Sequence, residues 1–179
     1  MDQTTTTLLA ACGLFCGACY HYRASFYDDE RLREAAAQRS REQDSFTCGG
    51  CRSQALYIHA GCAQCEIRAC ADEKGIQHCG LCDEFPCERL WAFRNDGRLH
   101  HEDILIELVN LRHKGPEAWL AEQAESWNCT CGESYSWYEE TCHKCGAPLA
   151  SYGVDPTLRR EIGYSQILLI CIRHANVVK

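Results

Sequence analysis

The chain is short of positive charge. Eighteen lysines and arginines face twenty-five aspartates and glutamates, giving a formal net charge of −7 and a pI near 5.6. That balance excludes a nonspecific nucleic-acid binder with a basic stripe, though not a local basic patch. Long hydrophobic runs are also missing. The longest, Ile167 to Ile172, is far too short to span a bilayer. The opening MDQTTTTLLAACG has no basic flank and only a brief apolar stretch, so we expect no secretory leader and a cytoplasmic setting. Large apolar side chains are scarce in residues 1–87, too scarce for an ordinary core. At 179 residues the chain fits one domain or two small ones.

Cysteine is in excess, with sixteen in the chain. Such density marks either a disulfide framework or metal sites. A cytosolic chain keeps its thiols reduced, so metal ligands are expected. Residues 1–87 hold eleven cysteines, 88–126 none and 127–146 four. Cys171 stands within the apolar tail run and reads as a core residue.

These shifts suggest four segments: a cysteine-rich metal-binding domain over 1–92, a helical connector over 93–126, a zinc ribbon over 127–150 and a tail over 151–179. The expected fold is small, metal-stabilised and α plus irregular: a cysteine-rich multi-metal domain, a helical hairpin, then a β-hairpin zinc ribbon. Asp28 to Gln43 reads as a solvated helix of good helix formers, flanked by Phe26, Tyr27 and Phe46. Pro86 is placed to open a helix carrying Leu90, Trp91 and Phe93. Ile104, Leu105, Leu108 and Leu111 recur at helical spacing up to Gly115, and Pro116 opens a further helix with Trp119 and Leu120. His100, His101 and His113 read as surface residues.

Four Cys-x-x-Cys pairs occur in the first region: Cys16/Cys19, Cys48/Cys51, Cys62/Cys65 and Cys79/Cys82. Two intervening residues let both thiols grip one ion across a tight turn, and two such pairs make a tetrahedral zinc site. Gly17, Gly49, Gly50 and Gly80 supply the turns. Sequential, nested and cross-braced partnerships all remain open. The ten-residue gap between Cys48/Cys51 and Cys62/Cys65 favours joining those two pairs. Cys16/Cys19 then meets Cys79/Cys82. Cys12, Cys70 and Cys87 are left for a third site, with His21, His59 or His78 as the fourth ligand. Arg23, Arg52, Arg68 and Lys74 lie close enough in sequence to offset thiolate charge.

The second group is Cys129-x-Cys131-Gly and Cys142-x-x-Cys145-Gly around the aromatic stretch SYSWYEE. Two knuckles about a β-prone hairpin are the pattern of a zinc ribbon, with His143 a bystander. Together the sites call for about three to four zinc ions.

CGLFCGAC, CGGCRS and CAQCEIRACADEKGIQHCGLCDEFPCERL together resemble a cysteine-rich bacterial and archaeal family, domain of unknown function 3795. The resemblance spans about residues 8–92. It matches Cys12, Cys16, Cys19, Cys48, Cys51, Cys62, Cys65, Cys70, Cys79, Cys82, Pro86 and Cys87. It implies metal binding and carries no activity with it.

The leading functional expectation is a zinc-stabilised interaction module with a protein partner and no evident small-molecule substrate. The alternative is an iron–sulfur redox protein, with a cluster in the amino-terminal region, since clusters also take four thiolates. A lesser alternative is a ribbon that stacks bases on Trp127, Tyr135, Trp137 and Tyr138, although Glu133, Glu139 and Glu140 would repel phosphates. Cys12, Cys16 and Cys19 have the spacing of radical-SAM enzymes, but the chain is too short for that family's barrel. No Cys-x-x-Cys pair sits in the βαβ context of a thiol oxidoreductase. No residue is singled out as catalytic.

Overall fold

The computed structural model describes residues 7–39, 48–53 and 60–154, and these are built of short helices, tight turns and loops. In chain order the helices are α1 (Tyr20–Phe26), α2 (Glu30–Arg39), α3 (Ala60–Ala63), α4 (Glu66–Glu73), α5 (Glu88–Arg94), α6 (Ile104–Lys114) and α7 (Pro116–Ser126). Single 3-10 turns span Cys16–Ala18, Cys79–Leu81 and Leu99–His101. Phe46, His59, Cys171, the 167–172 run and the expected end of α2 at Gln43 lie outside the described residues.

Local chemistry explains most boundaries. Asp29 accepts the Arg31 backbone N–H at 3.0 Å, which starts α2. Leu32 and Ala36, four apart, form its single buried face. α6 stops at Gly115 and α7 begins at once with Pro116 at its first position. The two helices therefore fold back on each other as the expected hairpin. Pro86 is not part of α5, because the chain stays extended through Cys87, the residue before the first turn.

α6 is the central post. Ile104, Leu105, Leu108 and Leu111 are wholly buried. Leu9 and Phe15 from the first loop, Ile67 from α4, Leu90 from α5 and Trp119 from α7 belong to the same apolar cluster. So do Trp127, Tyr135, Trp137, Leu149 and Tyr152 from the last segment. The cysteine-rich region, poor in large apolar residues, thus completes its core on a helix from outside it. Among the described residues no helix is long and apolar enough to cross a membrane.

Two expectations are corrected. No β-hairpin forms over the described residues 127–150; isolated antiparallel bridges join Asn128 to Ser134 and Thr141 to Pro148 instead. Each bridge is closed locally, the first by Cys129 N–H to Glu133 O at 2.8 Å and Tyr135 N–H to Trp127 O at 2.9 Å. Beyond it the backbone turns to other partners: Trp137 N–H donates to Ala18 O at 3.3 Å, and Tyr152 N–H to Trp137 O at 2.9 Å. The two bridges therefore do not join into one ladder.

His100 and His101 also lie inside. His100 stacks on Trp137, with ring centroids 4.1 Å apart, and its Nδ1 is 2.6 Å from the Tyr138 hydroxyl. His101 is 4% exposed, stacks on Phe93 and reaches the Asp96 carboxylate at 2.9 Å. The sequence could not show that Trp137, distant in the chain, arrives to cover them. His113 is exposed, as expected.

Candidate metal centres

All fifteen cysteines among the described residues are free thiols. They fall into three groups.

Cys129, Cys131, Cys142 and Cys145 form the tightest. Their sulfurs all lie within 4.8 Å of one another. Cys129 is 3.6 Å from Cys145, and Cys131 is 3.6 Å from Cys142. The two knuckles are built alike. Gly132 N–H returns to Cys129 O and Gly146 N–H to Cys142 O, each at 2.8 Å. Cys129 N–H donates to Glu133 O, and Cys142 N–H to Ala147 O, again at 2.8 Å. Cys129 and Cys142 are buried, whereas Cys131 and Cys145 face outward. The Cys131 backbone N–H, aided by the neighbouring sulfurs, lowers the Cys129 thiol to about 6, so a thiolate is ready there at neutral pH. Number, softness and spacing suit this set to a metal ion. His143 stays outside it, engaged by Arg31 at 2.9 Å and Glu133 at 3.6 Å.

The second group is larger. The Cys12, Cys16, Cys19 and Cys62 thiols are raised by burial first, then by other cysteines among Cys48, Cys51 and Cys65. Burial holds Cys19 at about 11 and Cys62 at about 12. Backbone donors are aimed at several of these sulfurs: Leu14 at Cys12, Cys51 at Cys16, His21 and Tyr22 at Cys19, and Ala11 at Cys51. Thiols raised in this way stay protonated at neutral pH unless a cation displaces the proton. Arg68 brackets the group, donating to Cys51 O at 3.1 Å and Ala63 O at 2.8 Å. Arg52 pairs with Asp72 at 3.0 Å. Burial raises the Cys51 thiol, and the Ala11 N–H, Arg68 and Arg52 only partly oppose it.

The third group surrounds a cavity of about 410 Å³ lined by Cys70, Cys79, Cys82 and Cys87. Cys70 projects from α4, Cys79 and Cys82 belong to the 3-10 turn, and Cys87 caps α5. The turn presses on α6 so closely that a Cβ on Gly80 would lie 2.5 Å from Leu108 O. Burial, then Cys87, Cys82 and Cys70, pushes the Cys79 thiol up to about 12. Lys74 Nζ lies 3.5 Å from Cys82 Sγ, and Arg89 hydrogen-bonds the Cys70 thiol.

The structure therefore regroups the cysteines. Cys48, Cys51 and Cys65 all act on the Cys62 thiol, so these two pairs are neighbours, without drawing into a compact four-sulfur set. Cys16/Cys19 joins them rather than Cys79/Cys82, and Cys70 and Cys87 join Cys79/Cys82 rather than Cys12. α4 lies between the two sets: Cys65 precedes its first turn in extended backbone, Cys70 sits within it, and Cys65 still acts on the Cys79 thiol. Four cysteines line the cavity, and neither His21 nor His78 does; His59 lies outside the described residues. His78 is 2% exposed, its Nδ1 lacks a hydrogen-bond partner, and burial with Arg52 and Arg112 lowers it to about 4.

Among the basic residues, Lys74 stands by a thiol as expected, whereas Arg23 hydrogen-bonds residues 134–139 instead. Arg89 was not singled out in the sequence; its position two residues after Cys87 was the available signal.

Fifteen free thiols on a short-helix frame, four of them drawn into one compact set, define a cysteine-rich protein with a four-cysteine site fit for a metal ion. Residues 8–92, just under half of the chain, match the family model described as "Protein of unknown function (DUF3795)". The matched span holds the second and third groups and excludes the Cys129–Cys145 set. No curated protein and no solved structure matches the chain.

Proposed function

We propose that the protein binds zinc in a reducing, cytoplasmic prokaryotic compartment and serves as a metal-stabilised module that engages another protein. The Cys129, Cys131, Cys142 and Cys145 set carries this reading. Zinc at ~2.3 Å from each sulfur of a tetrahedron separates the sulfurs by ~3.8 Å, and the 3.6 Å spacings fit that edge. Four protein thiolates leave no open coordination position, which is the signature of a structural rather than catalytic zinc. The thiols of the second group, Cys12 and Cys48 buried among them, offer further soft ligands. Phe26 (60% exposed) and Tyr27 (46%), at the end of α1, offer apolar surface to a partner.

The nucleic-acid alternative finds less support. Trp127, Tyr135 and Trp137 are buried, so their faces are not presented for stacking.

Metal analysis of the anaerobically purified full chain tests the zinc reading. The C131S/C145S variant should lose about one zinc per chain, and an unchanged zinc content would overturn it. A photo-crosslinking residue at Tyr27 in cells tests the partner reading. One recurrent protein adduct, abolished by Phe26→Asp, is expected, and its absence would count against the module.

A further inference from the structure

We propose that the cavity lined by Cys70, Cys79, Cys82 and Cys87 holds a four-iron, four-sulfur cluster ligated by those four thiolates. This goes beyond the zinc reading and uses different residues.

Spacing is the first ground. Among the described residues, the Cys129 set alone brings three or more candidate ligand atoms within 4.8 Å of one another. No three of the cavity cysteines do so. A single tetrahedral ion would draw them to ~3.8 Å. A cluster inserts a body of iron and sulfide between its thiolates and holds them farther apart.

Volume is the second. The cavity is a partly open cleft of about 410 Å³, which gives room for a body larger than a single ion.

The lining is the third. Ile67, Ile76, Phe85 and Leu90 supply apolar walls. A cluster with four thiolates is anionic, and its potential depends on hydrogen bonds to the sulfurs and on exposure. Lys74 and Arg89 place cationic donors on the Cys82 and Cys70 sulfurs. Glu84 holds Lys74 from outside at 2.8 Å, and Glu88 also borders the cavity.

The test uses the full chain purified anaerobically, with iron, acid-labile sulfide and zinc measured separately. A brown protein is expected. C82S/C87S should lose about four irons and four sulfides per chain while retaining the zinc of the Cys129 set. Absence of labile sulfide from the parent chain, or sulfide unchanged in C82S/C87S, overturns the proposal. A zinc content lowered only by C131S/C145S bears on the earlier reading alone. If C82S/C87S does not fold, Lys74→Met decides. It should keep the iron and show a lower midpoint potential on dithionite reduction, because a cation that favours the more negative, one-electron-reduced cluster has been removed. An unchanged potential overturns the assignment.

Discussion

Arg23 and Glu139 are 116 positions apart in the chain and 3.3 Å apart in space, with side-chain exposures of 1% and 8%. The same guanidinium donates to Ser136 Oγ at 2.9 Å and Ser134 O at 2.7 Å. It therefore fastens α1, which follows directly on Cys19, to the segment between the two carboxy-terminal knuckles. Removing one partner of a buried pair strands the other. Arg31 also reaches Glu139, at 3.3 Å, and moderates the loss. Arg23→Met should cost about 3 kcal/mol, seen as a lower urea midpoint for the metal-loaded chain. An unchanged midpoint would refute a structural role for the pair.

Chelation should act locally at first. Structural zinc contributes roughly 10–16 kcal/mol of apparent binding energy in small sites, and the knuckles around Cys129 and Cys142 have no strand ladder to hold them. Metal removal should raise amide exchange across residues 127–150 and shift Trp127 and Trp137 emission to the red. α6, packed on every side by apolar residues, should keep its protection longest. Unchanged exchange over 127–150 after complete metal loss would contradict this.

His100 makes stability depend on pH. Burial, with His101 and Arg98 adding to it, holds its imidazole down to about 2, against an ordinary value near 6.5. Above pH ~6.5 the ring is neutral whether folded or unfolded and contributes no pH dependence. Below that, only the unfolded chain takes up the proton, so stability falls as pH falls, by ~1.4 kcal/mol per pH unit. Between pH 6.5 and 5.0 the loss from this ring should approach about 2 kcal/mol. His100→Phe, which preserves the stack on Trp137, should remove that part of the slope in denaturant titrations. An identical slope in the variant would exclude the ring as its source.

Gly50 tests how the second thiol group is closed. Its φ is +98°, and an added Cβ would collide with Thr7 O. Neither can be relieved by a side-chain rotation. Gly50→Ala should cost upwards of ~2 kcal/mol and speed alkylation of Cys48 and Cys51 in the metal-free chain. Parental alkylation rates would show that the approach to Thr7 is dispensable.

Much of the frame was legible in the sequence, for local reasons. Gly115 followed by Pro116 marks the α6–α7 hairpin, and the spacing of Ile104, Leu105, Leu108 and Leu111 marks the buried face of α6. Cysteine spacing showed which thiols sit on a common turn. It could not show which turns meet, because that depends on how the helices between them pack, which no spacing records. The aromatic stretch from Tyr135 to Tyr138 looked like a strand because its composition is β-prone. Only Tyr135 bonds back along the local bridge, to Trp127, while the Trp137 N–H goes to Ala18, a contact fixed by the tertiary fold. His100 and Arg23 were misplaced for the same reason: each is buried by residues distant in sequence.

Ala11 bears on how the amino-terminal thiols fill. Its N–H points at the Cys51 sulfur in one group, while its carbonyl accepts the Cys79 N–H at 2.8 Å in the other. One residue therefore faces two assemblies through opposite ends of its backbone. Ordering either assembly fixes the φ and ψ that the other also requires, so the second to fill finds that conformational entropy already removed. If both assemblies take up metal, the second should fill more readily than the first, by at most about the 1–2 kcal/mol of one residue's backbone entropy.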